Sequence, residues 1–253
     1  MSAFGSVRKD LQWTSRTLSP DVFSGNKVAV IGRTNGIGRA LARALAMKGA
    51  EVWLVGRTFR DQGLPRDHFI QADLSAMKNA RKLARELPAE TLDMLIMTQG
   101  IFAGSKRSAS TEGIERDDFN SELNYVWKTA HSNGVVVNEA LVLDSAARYP
   151  TLNFYGMNPG IISSNIMAGI LGEGTFSLKM QQTILGLLFQ SAEEYADKIL
   201  PLLVSPDIEQ HSGAMFNRHG NPILANPSLL QKPYLQRVVE ETEKLAQRIK
   251  GSE

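Results

Sequence analysis

At 253 residues the chain is long enough for one α/β domain with a sizeable core. An apolar fraction of 43% and a formal net charge of +2 describe an ordinary globular composition, without the broad basic face that nucleic acid requires. Cysteine is absent, which excludes disulfides, thiolate catalysis and Cys-ligated zinc or iron–sulfur centres, and the four histidines (His68, His131, His211, His219) have no metal-ligand spacing.

Residues 1–26 read as a polar N-terminal extension with no signal-peptide core, and no stretch approaches the ~20 apolar residues of a membrane span. The expectation is a cytoplasmic protein. Trp13 and Phe23 either tuck against the domain or belong to a loose segment. Residues 27–253 are expected to form a single domain.

The stretch from Lys27 to Arg39 organises the rest of the chain. Val28 to Ile31 predicts a buried strand, and the alanine- and leucine-rich run after Gly38 predicts a helix. A tight turn joins them, made of Gly32, Arg33, Thr34, Asn35, Gly36, Ile37 and Gly38. Strand, glycine turn and helix start place backbone N–H groups and a helix dipole where a pyrophosphate can be received. Gly32 serves the turn, Gly36 a close phosphate approach and Gly38 the packing of helix on strand.

Glu51 to Thr58 predicts a second strand with its closing turn. An acidic residue at its end would bind a free ribose 2′-OH, but Gly56-Arg57-Thr58 stands there instead. A cation pairs with a 2′-phosphate, so the residues favour NADP(H) over NAD(H), with Arg33 a second candidate for the same phosphate. Phe69 to Leu74 predicts a third strand, whose Asp73 either caps a helix from Ser75 to Glu86 or hydrogen-bonds an adenine amino group. Leu92 to Gly100 is a fourth strand with a glycine exit. Strands and helices alternating at this pitch imply a parallel sheet covered on both faces.

Residues 101–124 carry polar, turn-forming chemistry and read as loop. A long helix is expected from Asn124 to Arg148, stopped by Tyr149-Pro150, then a strand from Leu152 to Met157. Residues 165–190 read as a substrate-side lobe with apolar lining. A helix from Ala192 to Val204, a short strand and turn within Gly213 to Ile223, and an amphipathic helix from Ser228 to Lys250 complete the chain.

From Lys27 to Ile166 these motifs together resemble the short-chain dehydrogenase/reductase family. Gly32-x-x-x-Gly36-Ile37-Gly38 is similar to that family's cofactor turn, and Asp73-Leu74 to its adenine-contacting pair. Thr98-Gln99-Gly100 stands where the family has Asn-Ala-Gly. The segment beginning Pro159-Gly160 looks like the one that closes over the nicotinamide, with the main chain near Ile162 on the carboxamide and Ser164 in place of a threonine. The resemblance implies a Rossmann-like, doubly wound parallel sheet and an oxidoreductase exchanging hydride with a small carbonyl or alcohol substrate. In that family a tyrosine hydroxyl moves the proton, a lysine lowers its pKa and a serine orients the substrate. A phenol of pKa near 10 needs such a cation to work near neutrality.

Two departures stand out. The family's Tyr-x-x-x-Lys is matched only by Tyr125-Val126-Trp127-Lys128, one residue short, which turns the lysine by ~100° about the helix. The helix and fifth strand that precede the tyrosine in the family need about 28 residues with their connections. Residues 101–124 supply 24, and no β-branched run occurs among them. The sequence therefore reads as lacking that helix and strand, giving one strand fewer than the family's seven, no assignable catalytic serine and a weakened surface for a homo-oligomer. On this reading Leu152 to Met157 pairs beside Leu92 to Thr98 through a right-handed crossover. The alternative to an active NADP(H)-dependent enzyme is a catalytically impaired, nucleotide-binding truncated isoform that acts by binding or partnering.

Overall fold

A computed structural model describes residues 6–32, 36–59, 64, 68–100, 127–160, 162 and 190–248. These residues belong to two compact units, one drawn from 16–101 and 161–203, the other from 1–15, 102–160 and 204–253.

The first unit is built on a parallel sheet. β1 (Lys27–Ile31) lies between β2 (Glu51–Gly56) and β4 (Met94–Met97), and β3 (Phe69–Gln71) pairs on the far side of β2. Register sets Ile31 beside both Val55 and Met97, and Gly56 beside Gln71, so the carboxyl ends of all four strands reach the same edge. β1 is almost wholly buried because its apolar run is covered on both faces. On one face Ala29, Ile31 and Val55 join Leu83 and Leu87 from α2 (Met77–Glu86) and the residue following it. α1 (Ile37–Met47) packs against β1 and β2, and against α4 (Ala192–Leu203). The small buried residues Gly38, Ala40 and Ala42 on α1, and Ala192 and Ala196 on α4, suit close helix packing. Phe23, 1% exposed, belongs to this unit, where its backbone N–H donates to the Lys48 carbonyl at 3.0 Å.

The second unit combines a small mixed sheet with two long helices. β5 (Gly156–Met157) runs parallel to β6 (Met215–Phe216), which pairs antiparallel with β7 (Pro222–Ile223). Val7 bridges to Ile223, with Arg8 N–H on the Pro222 carbonyl (2.9 Å) and Leu224 N–H on that of Ser6 (2.8 Å). The N-terminal extension therefore adds to the outer edge of β7, and Leu11 within it is 2% exposed. α3 (Trp127–Arg148) packs on α5 (Lys232–Arg248) through Ala140, Val136 and Leu143 against Val239, Leu235 and Val238.

The structure corrects several boundaries and one pairing. α2 starts at Met77 rather than Ser75, and α5 at Lys232 rather than Ser228, after a short 3₁₀ turn at Pro227–Leu230 held by the Asn226 side chain. Only Gly156 and Met157 of the strand expected over 152–157 are extended in a ladder, and their partner is β6, not β4. Among the described residues β4 pairs only with β1, and Leu95 and Met97 on it are exposed. A crossover connection permits adjacency but does not dictate it; here Gly156 N–H is already taken by the Ala214 carbonyl and Asn158 N–H by that of Phe216.

Candidate functional site

The carboxyl edge of the parallel sheet gathers the cofactor residues that belong to the first unit. Gly32 leaves β1 with its N–H on the Val55 carbonyl at 3.1 Å. Thr98, leaving β4, donates to the Ile31 carbonyl from its N–H (2.7 Å) and from its hydroxyl (3.2 Å). A Cβ on Gly32 would strike the Thr98 hydroxyl and come within 3.0 Å of the Thr98 carbonyl carbon. Glycine here is a requirement of strand-to-strand approach as much as of the turn.

Gly36 is the N-cap of α1, at φ 69°, and among the described residues no side chain caps the helix there. The first turn carries no acidic residue. Its amide donors and the positive end of its dipole are thus arranged as an anion would need them. Gly38, within the first turn of α1, is buried, as packing requires. Ile37 opens α1, while Arg33, Thr34 and Asn35 lie outside the described residues.

Arg57 and Thr58 follow β2 and are exposed, and the Arg57 carbonyl accepts from Gln71 Nε2 at 3.0 Å. Asp73 takes the Ser75 N–H on Oδ1 (3.1 Å), while its carbonyl accepts from Asn79 Nδ2 (2.7 Å). The N-cap of α2 is Ala76, so Asp73 organises the turn ahead of the helix rather than capping it. Leu74 is half-buried against the Leu83 and Leu87 cluster, a packing role. Gln99 and Gly100 continue from Thr98 on the exposed edge, and among the described residues nothing lies within 4 Å of where a Gly100 Cβ would stand. Thr98 is a residue whose part in this edge the sequence does not mark: its contact with Gly32 joins two strands far apart in the chain.

In the second unit, Asn158-Pro159-Gly160 leaves β5 in a tight turn. Gly160 has φ 64° and donates its N–H to Asn158 Oδ1 at 3.0 Å. A Cβ on Gly160 would lie 3.3 Å from Arg218 Cδ, so the arginine stem rests on this turn. Ile162, belonging to the first unit, is buried, and Ser164 lies outside the described residues. Tyr125 also lies outside them; Lys128 falls in the first turn of α3, where only the backbone is described.

Tyr155, the other tyrosine near these motifs, is committed elsewhere. Its hydroxyl donates to the Ile208 carbonyl at 2.7 Å and its ring meets the edge of Phe216. Burial, with Glu209 adding to it, pushes its pKa above the ordinary phenol value, the opposite of what a proton-transfer tyrosine needs. Among the described residues no helix is long and apolar enough to cross a membrane.

The model of the short chain dehydrogenase family matches residues 26–130. A Saccharomyces cerevisiae protein described as an uncharacterized oxidoreductase, YKL107W, is 34% identical over 289 aligned positions, covering 94% of this chain and 93% of its own. Among solved structures, the Thermoplasma acidophilum aldohexose dehydrogenase in ligand-free form superimposes with a TM-score of 0.60 at 16% identity, over 79% of this chain and 94% of that one. An Escherichia coli CFT073 short chain dehydrogenase complexed with NADPH does so with a TM-score of 0.56 at 15% identity, over 79% and 99%. These two likenesses concern the fold alone. With its Rossmann-like parallel sheet, its glycine turn and its yeast relative taken together, the chain belongs to the short-chain dehydrogenase/reductase family of oxidoreductases.

Proposed function

We propose that the protein is an NADP(H)-dependent oxidoreductase acting on a carbonyl or alcohol of a small molecule. The observation that carries the reading is the carboxyl edge of the sheet, where Gly32, the start of α1 and exposed Arg57 follow neighbouring strands. Amides of Gly36 to Gly38, with Arg33, Thr34 and Asn35, take the diphosphate. Arg57, Thr58 and Arg33 take the 2′-phosphate. Asp73 and Leu74 border the adenine, and Gln99 and Gly100 also line the coenzyme. Pro159, Gly160, Ile162 and Ser164 take the nicotinamide carboxamide. The NADPH present in the Escherichia coli neighbour and the cation at Arg57 support this choice of coenzyme.

Nicotinamide, when bound, supplies or accepts the hydride. The chain's own part is the proton: Tyr125 donates it to, or withdraws it from, the substrate oxygen, with Lys128 lowering the phenol's pKa.

A second reading is favoured by one observation. The alignment with the yeast relative spans 289 positions, yet 94% of 253 residues is only about 240, so roughly 50 positions of that relative have no counterpart here. This supports a missing internal segment, and with it a nucleotide-binding protein impaired in catalysis. Titration of the full chain with NADPH and NADH, followed by turnover of a carbonyl panel, separates the readings. Turnover that vanishes in Tyr125→Phe supports the enzyme; tight binding without turnover, unchanged in that variant, supports the impaired form. No binding of either coenzyme sinks both.

A further inference from the structure

A tightly hydrogen-bonded polar turn in the second unit joins β6 to β7, and neither proposed function uses it. Asn217 Oδ1 accepts from the backbone N–H of His219 (2.9 Å) and of Asn221 (3.1 Å). Gly220 N–H returns to the Asn217 carbonyl, and Asn217 N–H to that of Asn221, each at 2.9 Å. Every one of these bonds limits how the turn can move, because the backbone donors of Asn217, His219, Gly220 and Asn221 are spent within it.

Two elements meet this turn. Trp13, from the N-terminal extension, donates Nε1–H to the Gly220 carbonyl at 2.6 Å, and its ring lies against Gly220, where a Cβ would sit 3.0 Å from Cζ2. The pairing of Ser6 and Arg8 with residues 222–224 holds that tryptophan's segment in place. Arg218 projects from the same turn, and its aliphatic stem covers Gly160: a Cβ there would stand 3.3, 3.7 and 4.0 Å from Cδ, Cβ and Cγ. Its Nε donates to His219 Nε2 at 3.0 Å, which steadies the stem's direction. Asn158 N–H on the Phe216 carbonyl completes the link between the Pro159-Gly160 turn and β6.

We infer that Arg218, and behind it Trp13, are positioning residues for the nicotinamide end of the coenzyme, holding the Pro159-Gly160 turn through contact with the Arg218 stem. The inference rests on the proposed assignment of that turn to nicotinamide. It makes residues 6–15, which read in sequence as an appendage, part of the framework of the reactive end of the site. It also makes the stem, not the charge, the working part of Arg218.

The test compares two probes on the full chain: the coenzyme that the wild type binds more tightly, and its adenosine half, which has no nicotinamide (2′,5′-ADP for NADPH, ADP for NADH). Arg218→Ala is expected to weaken coenzyme binding about tenfold while leaving the adenosine half unchanged, since loosening a supporting contact misplaces only the end it supports. Arg218→Gln keeps Cβ, Cγ and Cδ without the charge and should bind within about twofold of wild type. Trp13→Phe, which removes the donor to Gly220, should follow Arg218→Ala in direction with a smaller loss. Retained binding of the adenosine half reports that the variant is folded. Wild-type coenzyme affinity in Arg218→Ala overturns the inference, as does an equal loss of both probes, or an Arg218→Gln as weak as Arg218→Ala. Failure of the wild type to bind any of these probes overturns the coenzyme assignment and this inference together.

Discussion

Thr98 stands against Gly32 so closely that the exits of β1 and β4 share the space of one missing side chain. The threonine's N–H and hydroxyl both reach the Ile31 carbonyl, so the contact is fixed by hydrogen bonds as well as by packing. Gly32→Ala should accordingly destabilise the protein by about 1–3 kcal/mol, the usual cost of overpacking a tight site. Thr98→Val removes only the hydroxyl donor and should cost about 0.5–1.5 kcal/mol. Denaturant midpoints of the two variants check the order; a neutral Gly32→Ala would contradict the geometry.

Arg57 is exposed and follows the last residue of β2, at the sheet edge proposed for the adenosine ribose. A charge-assisted contact to a 2′-phosphate is worth about 1.5–3 kcal/mol, so Arg57→Glu should shift the ratio of NADPH to NADH affinity by roughly ten- to a hundredfold towards NADH. Dissociation constants for both coenzymes, measured side by side, decide it. An unchanged ratio removes Arg57 from the assignment.

The two tyrosines make opposite predictions. Tyr155→Phe deletes the hydrogen bond to the Ile208 carbonyl and should cost about 1 kcal/mol of stability with kcat unaltered. Tyr125→Phe should, on the proposed assignment, lower kcat by roughly 10²–10⁴-fold, the usual range for a general acid–base group. Thermal midpoints and initial rates on the same preparations separate packing from chemistry.

Glu139 on α3 is half-buried, and this desolvation raises its carboxyl pKa, with the Asn226 N–H at 3.0 Å opposing. A pKa higher in the folded than in the unfolded state means that the fold holds this proton more tightly. The stabilisation is complete below the ordinary glutamate value of about 4.3 and is lost as the pH rises through the raised folded value. Glu139→Gln keeps an acceptor for Asn226 and has no such dependence. Its stability relative to wild type should therefore improve as the pH rises from about 4 towards neutrality. Denaturation curves of the two proteins that stay parallel across that range would refute the argument.

The parallel sheet was legible because β1, β2 and β4 are continuous apolar runs, each followed by a glycine or a turn. The same property marked the glycine turn that follows β1. The second sheet was not legible: β5, β6 and β7 are two residues long, too short to show any period, and their pairing joins residues far apart in sequence. The rule that a crossover strand lands beside its predecessor therefore misplaced Gly156-Met157. Trp13 illustrates the limit more sharply. Its aromatic ring in a polar segment invited burial, but nothing local could name Gly220 as its partner, 207 positions away. Gly32 was singled out for the freedom of its backbone, whereas the structure adds the neighbouring threonine, which no pattern within β1 encodes.

The bridge from Ser6–Arg8 to Pro222–Leu224 has a practical side for anyone producing the protein. Trimming the gene to begin at residue 16 would strip a ribbon from the rim of β7 and bare its amides and carbonyls to neighbouring molecules. Unshielded rims of this kind recruit strands from other chains, so the shortened product should precipitate or form inclusion bodies where the longer one stays dispersed.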